Sequence, residues 1–187
     1  RRQRQMCIRD RKKIDLLNKG TVPIYEPGLE EILKKNFKQK RLIFTSDLNK
    51  AVTNSDIIFI CVGTPTKKNT NSANLKHVFS VVKDLKKIIK KYKIIITKST
   101  VPVTTGDKIE KILINLKKKK LVDIVSNPEF LREGEAIRDF IYPDRIIIGT
   151  DSKKANKILK SLYLPIIKKT NRYCLLYTSP SPRDRSS

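Results

Sequence analysis

Three short turns carry most of the residues able to handle a polar ligand. They read Val62-Gly63-Thr64-Pro65, Lys98-Ser99-Thr100-Val101-Pro102, and Ser126-Asn127-Pro128-Glu129-Phe130-Leu131-Arg132-Glu133-Gly134. Each directly follows an apolar, β-branched run. Gly, Pro, Thr and Asn suit turns in any case, so one such turn alone is loop punctuation. Three in succession, each at the end of a strand-like run, favour a binding rim. In open parallel sheets, ligands sit outside the carboxyl ends of the strands.

Glu129 and Glu133 are four residues apart. If the chain is helical there, both carboxylates share one face. Such a pair can do general acid–base work if their environments separate their pKa values. The spacing serves equally well for a helix start whose acidic residues favour the helix dipole. The single histidine, His77, lies beside an apolar helical stripe and reads as a surface or edge residue. No group of Cys and His has zinc-ligand spacing, so no metal is expected.

The elements that must carry these turns alternate between helix and strand. Residues 12–18 read as the end of a helix, with Gly20 as its stop. Residues 22–27 are Pro-bounded and extended, and 29–37 has helical apolar spacing. A short strand over 41–45 is followed by a helix capped by Asp47 and running to about Asn54. The apolar run over 57–62 reads as a strand covered on both faces. The clearest helix spans 74–92, with a stripe of Leu75, Val78, Val82, Leu85, Ile89 and Tyr92. Strands are expected over 93–98, 121–126 and 145–149, and helices over 104–117 and 153–163. This alternation predicts an α/β fold, a parallel sheet with helices on both faces.

The net charge is +24, with 42 Lys and Arg against 18 Asp and Glu. A charge of that size raises nucleic acid or an anionic membrane as partners. However, the Lys residues are spread over helix surfaces, and Ile and Asn are abundant too, the profile that codon drift in an AT-rich genome produces. No clustered nucleic-acid motif accompanies the charge. No run approaches the ~20 apolar residues of a membrane helix, and no signal-peptide pattern is present. A cytoplasmic protein, binding neither nucleic acid nor membrane, is expected.

Both ends resemble translated sequencing-library adapters: RRQRQMCIRDR at the start and CLLYTSPSPRD near the finish. Segments 1–11 and 174–187 are therefore set aside as non-native, leaving 12–173. That leaves Cys61 of the three cysteines, in apolar company that suggests a buried, inert thiol inside a strand.

Four longer motifs carry a family resemblance: NKGTVPIYEPGLEE at 18–31, SDIIFICVGTP at 55–65, TKSTVPVTTG at 97–106, and VSNPEFLREGEAIRDF with PDRIIIG over 125–149. In order and spacing they resemble the UDP-glucose/GDP-mannose dehydrogenase family, with KSTVP and PDRIIIG favouring its UDP-glucose branch. The resemblance implies that 12–173 is a partial NAD-binding domain: a Rossmann-like doubly wound parallel sheet lacking its first β-α unit. It implies oxidation of the C6 alcohol of UDP-glucose to a carboxylate. Two NAD each take a hydride, and a thiohemiacetal forms on a cysteine in between. Lys13, Thr64, Thr100 and Glu133 would contact NAD, and Thr100 would also help position a water. Glu129 would act in acid–base chemistry, and Glu129, Phe130, Leu131, Arg132 and Glu133 would line the sugar-nucleotide site. The full-length parent is expected to be a homodimer.

The family's Gly-rich turn and its nucleophile motif are not found in this sequence, and Cys61 does not match the nucleophile's surroundings. The chain by itself is therefore expected to be inactive. A sibling enzyme acting on GDP-mannose or UDP-N-acetylmannosamine is the first alternative. A basic nucleic-acid-binding α/β domain is the alternative of another class.

Overall fold

The computed structural model describes residues 4–8, 10–67, 72–102 and 104–170. Cys174 and the rest of 174–187 lie outside the described residues, as does Val103. In chain order the elements are β1 (Arg4–Cys7), α1 (Arg11–Asn18), α2 (Leu29–Lys38), β2 (Leu42–Thr45), α3 (Leu48–Thr53) and β3 (Ile57–Ile60). There follow α4 (Lys76–Ile88), β4 (Lys93–Thr97), α5 (Thr105–Lys118), β5 (Val122–Ser126), α6 (Ala136–Ile141) and α7 (Lys153–Thr170). The described residues form two compact units, one of those up to 55 together with 130–143, the other of those within 56–129 together with those from 144 to 170.

In the first unit β1 and β2 pair in parallel, Arg4 beside Leu42 and Cys7 beside Thr45. A two-stranded sheet is marginal without covering helices. Here α1 and α2 pack on β2, and α3 packs on β1. The core is Ile14, Leu17 and Phe44, with Leu33 and Leu42 against it. Phe37 of α2 stacks on Phe44, ring centroids 6.0 Å apart. The reading of 12–18 as the tail of a longer helix is corrected, because α1 has its own start. Asp10 caps it, its side chain accepting from the Lys13 N–H at 3.3 Å. Gly20 ends it with φ +81°, a conformation glycine adopts without a Cβ penalty. Residues 4–7, set aside on sequence, form strand β1.

In the second unit β3, β4 and β5 form a parallel sheet in that order. Lys93 to Thr97 of β4 are all buried, and Ile94, Ile95 and Ile96 are no more than 1% exposed. Successive strand side chains point to opposite faces, so both faces of β4 are covered. On one face α7 packs Ala155, Leu159 and Tyr163 with Ile94, Ile96 and Val125. Helix α5 packs on β5 and on α4, which buries Val78, Val82 and Leu85 of the expected stripe.

The alternation of parallel strands and helices holds, with three differences. The described strands form two sheets, because no described strand pairs with both β2 and β3. Residues 145–149 are not a strand. Their only ladder contact is an antiparallel bridge from Gly149 to Ser126, although Ile146 and Ile148 are buried. Strand β3 stops at Ile60, so Cys61 lies just past it and is exposed, not buried within it. Among the described residues no helix is long and apolar enough to cross a membrane.

Candidate functional site

The register of the second unit's sheet decides where its turns begin. Ile60 pairs with Thr97, and Thr97 pairs with Ser126. The last residues of three parallel strands thus stand side by side, and the turns after them leave from one edge. The first two are stitched together. Lys98 and Ser99 donate their N–H groups to the Ile60 carbonyl at 2.9 and 3.2 Å. The Ser99 hydroxyl donates to the Val62 carbonyl at 2.7 Å, and the Thr64 hydroxyl donates to the Thr100 carbonyl at 3.0 Å. Thr64 and Thr100 are thereby brought together as expected.

The third turn is fixed by Asn127, 1% exposed and the most constrained polar side chain of the rim. Its N–H donates to the Thr97 carbonyl at 3.0 Å. Its side-chain amide donates to the Ile147 carbonyl at 2.6 Å. Its Oδ1 accepts from the Tyr163 hydroxyl at 2.5 Å and from Lys98 Nζ at 3.4 Å. This links the ends of β4 and β5, the 145–149 segment and α7.

Electrostatics centre on Lys98. Burial lowers the pKa of its ammonium, while Cys61 and Glu129 oppose that shift. Cys61 is exposed as a residue, yet burial of its thiol is the chief cause pushing its pKa up; Lys98 pulls it down and Glu129 pushes it up. Tyr163 is raised to about 12, by burial first and then by Cys61. Cys61, Lys98, Glu129 and Tyr163 therefore form one electrostatic group at this edge.

Lys13, Phe130, Leu131, Arg132 and Glu133 belong to the first unit. Lys13 is exposed on α1. Phe130 is 46% and Leu131 38% exposed, and Glu133 is exposed too. The Arg132 guanidinium is held by Asp139, Nε to Oδ2 at 3.0 Å and a second nitrogen to Oδ1 at 2.8 Å. Those bonds draw the Asp139 carboxyl down to about 2. The shared helix face proposed for Glu129 and Glu133 does not form. Residues 127–132 are irregular, 133–135 form a turn with Gly134 at φ +82°, and α6 begins only at Ala136.

Glu26, missed on sequence, ties that turn down. Its carboxylate accepts from the N–H groups of Gly134 at 2.9 Å and Ala136 at 2.8 Å. Lys98 and Asn127 were read only as members of their turns, with no role of their own, and Tyr163 was missed, because nothing local singles it out. An open cavity of about 520 Å³ in the first unit is lined by residues between Val22 and Glu31, and no predicted site residue lines it. His77 is exposed, and no metal-ligand cluster exists among the described residues.

Parallel strands joined through helices, with polar turns gathered at a carboxyl edge, define a dinucleotide-binding α/β domain of Rossmann type. A profile of the UDP-glucose/GDP-mannose dehydrogenase family, NAD binding domain, matches residues 5–167. The chain belongs to that family. It is 41% identical over 177 residues to a UDP-glucose 6-dehydrogenase of Rhizobium meliloti (strain 1021), covering 93% of this chain and 40% of the relative. It is 45% identical over 160 residues to UDP-glucose 6-dehydrogenase TuaD of Bacillus subtilis (strain 168), covering 85% and 34%. Among solved structures it resembles a GDP-mannose dehydrogenase from Pseudomonas aeruginosa, with TM-score 0.85 and 32% identity over 95% of this chain and 41% of that one. A UDP-glucose dehydrogenase from Pyrobaculum islandicum gives TM-score 0.81 and 32% identity, over 90% and 39%. The chain thus spans about 40% of the length of the first relative.

The cofactor of this domain is NAD. The rim fits part of it. Neutral hydroxyls and main-chain groups of 62–65 and 98–102 suit ribose and carboxamide, and a Cβ at Gly63 would meet nothing within 4 Å, so the chain can be approached closely. The six glycines never fall in G-x-G-x-x-G spacing, so this sequence supplies no Gly-rich pyrophosphate turn.

Proposed function

We propose that this chain is the nicotinamide- and sugar-facing part of a UDP-glucose 6-dehydrogenase, whose full-length form converts UDP-glucose to UDP-glucuronate with two NAD. The observation that carries the reading is the aligned end of β3, β4 and β5, which gathers Thr64, Thr100, Lys98 and Glu129 at one edge. NAD supplies the hydride acceptor. Thr64 and Thr100 hold it, and Thr100 orients a water at the reacting carbon. Glu129 exchanges a proton with that water during hydrolysis of the cysteine-bound intermediate. Phe130, Leu131, Arg132 and Glu133 contribute to the sugar-nucleotide site, Glu133 also lies toward the nicotinamide, and Lys13 approaches the adenosine ribose. The identities to enzymes named for UDP-glucose support that substrate. GDP-mannose is the second reading, favoured by the likeness to the Pseudomonas aeruginosa structure.

The test is NADH absorbance. The full-length protein should reduce NAD with UDP-glucose, two per sugar, and not with GDP-mannose or UDP-N-acetylmannosamine. Reduction driven only by another sugar reassigns the substrate, and none with any sugar removes the reading. The 187-residue chain should be inactive with all three. The assignment of 1–11 and 174–187 to adapters is part of the same reading, supported by the likeness at both ends. Genomic sequence around codons 12–173 tests it, and native codons for either end would discard it.

A further inference from the structure

We propose that the amino-terminal edge of the β3–β5 sheet, opposite the rim of turns, docks on an anionic phospholipid surface through the lysines of three helix ends.

Parallel neighbours begin at the same edge, so a helix joining them must run back and end there. Helices α4 and α5 therefore end where β4 and β5 start. Helix α7 starts at that edge too. Gly149 bridges Ser126 antiparallel, the Thr150 hydroxyl donates to the Ile124 carbonyl at 2.9 Å, and the Ser152 hydroxyl donates to Asp123 Oδ2 at 2.5 Å. The Tyr92 hydroxyl donates to the same oxygen at 2.6 Å, and the Lys93 N–H donates to the Leu121 carbonyl at 2.9 Å. These bonds tie the three helix ends together. Lys90, Lys91, Lys118, Lys119, Lys120 and Lys153 stand around them, all exposed. On sequence the lysines look spread over separate helices, and no membrane partner is expected; the fold returns them to one edge.

Little at this edge neutralises them. Asp123 accepts from the two hydroxyls, and the carboxylates paired with Lys87 and Lys117, Asp84 and Glu110, lie farther back along α4 and α5. The exposed acids here are Asp56, at the start of β3, and Asp151. Helix dipoles favour the lysines that end α4 and α5. The same dipole disfavours Lys153 and Lys154, which occupy the first turn of α7, where no acidic residue stands. Lys154 is compensated by the Tyr92 ring, its ammonium 3.5 Å from the centroid. Lys120 takes φ +53°, where glycine fits better. Codon drift raises the number of lysines without choosing these positions. Exposed residues that break a local rule are expected where function selects them.

All six are ammonium groups, point charges that answer to charge density and not to the shape of one phosphate. The ring at this edge, Tyr92, is half-buried and covered by Lys154, so it offers no face to the stacked bases of a single strand. A sheet of phosphate headgroups meets such a cluster, each lysine strengthening attachment several-fold. Docking there leaves Thr64 and Thr100 at the opposite edge of the sheet, open to a cofactor.

The test is sedimentation of the 187-residue chain with vesicles of phosphatidylcholine alone, or of phosphatidylcholine and phosphatidylglycerol at about three to one. Binding should need the anionic lipid and fall steeply with salt. Lys91→Gln, Lys119→Gln and Lys153→Gln together take one lysine from each helix end and should weaken binding by more than about tenfold. Lys108→Gln, Lys111→Gln and Lys168→Gln together remove the same charge from exposed positions elsewhere on α5 and α7, and should weaken it far less. The arginines of 1–11 are common to both variants and cancel in the comparison. Denaturation midpoints in urea check that both variants remain folded, and Lys153→Gln alone should not lower the midpoint, since it removes a cation that the dipole opposes. Equal losses in the two triple variants would assign binding to net charge and overturn the proposal. So would binding to pure phosphatidylcholine, or binding to polyuridylate with none to anionic vesicles.

Discussion

The Tyr163 hydroxyl meets the Asn127 side-chain oxygen at 2.5 Å, across 36 positions of sequence, with both residues buried. Helix α7 thereby locks the turn that leaves β5. Tyr163→Phe removes the donor and leaves Asn127 Oδ1 with only the long contact to Lys98. Losing one partner of a buried pair costs ~1–3 kcal/mol. Urea denaturation at neutral pH should show a loss in that range.

The same phenol gives a pH signature. Its folded pKa is raised from 10.0 to about 12, so the protonated form favours the folded chain. That contribution is fully present below pH 10 and is lost as pH rises through 12. Tyr92 is raised too, chiefly by burial and then by its hydrogen bond to Asp123, and adds a loss of the same sign. The stability gap between wild type and Tyr163→Phe should shrink between pH 10 and 12. A gap that widens over that window contradicts the assignment.

Glu26 offers a test in the first unit. Its two carboxylate oxygens each accept one main-chain N–H, from Gly134 and Ala136. Charge-assisted bonds of this kind contribute more than neutral ones, ~1.5–3 kcal/mol each when a partly buried donor depends on them. Glu26→Ala should expose the 130–143 segment to proteolysis and amide exchange, with Glu26→Gln intermediate. Unchanged protection there would show that the turn holds without the carboxylate.

Local chemistry made much of the fold legible. Asp47 caps α3 through the Lys50 N–H at 2.9 Å, and Gly20 ends α1, because both acts involve only near neighbours. The segment 145–149 misled because alternating burial of Ile146 and Ile148 mimics a strand, while a strand also needs a partner along its length. The pairing of Glu129 with Glu133 misled for a related reason. Asn127 ties the chain to β4 and 145–149, and Gly134 turns it at positive φ, so no helix can run between them. The three turns were visible because each sits directly after its strand. The tyrosine that holds the third turn was not, because it reaches that turn from α7.

Lys120 follows the C-terminal end of α5 at φ +53°, where its N–H bonds the Lys117 carbonyl at 2.8 Å and the Leu121 N–H bonds the Leu116 carbonyl at 2.9 Å. This is the left-handed helix stop that favours glycine. Lys120→Gly relieves a left-handed penalty of roughly 1–2 kcal/mol against a glycine entropy cost of ~0.5–1 kcal/mol, so it should stabilise the chain by ~0.5–1 kcal/mol, read as a higher denaturation midpoint. It also removes one positive charge from a strongly basic surface, which acts in the same direction. Lys120→Ala separates the two effects, since it removes the charge but keeps the Cβ. A gain confined to glycine assigns the effect to backbone conformation.

The contact between the Thr64 hydroxyl and the Thr100 carbonyl separates binding from stability. It joins the two turns proposed to hold NAD, and it is exposed. An exposed neutral hydrogen bond contributes little, so Thr64→Val should cost under ~1 kcal/mol in urea. Its effect on the cofactor should be larger, because the turn must keep its position to within a fraction of an ångström for the ligand to bind in a productive pose. In the full-length enzyme, Thr64→Val should raise KM for NAD several-fold while leaving KM for the sugar nucleotide near wild type. Thr64→Ser, which keeps the donor, should behave like wild type. Equal losses for serine and valine would mean that the methyl group of Thr64, and not its bond to Thr100, shapes the rim.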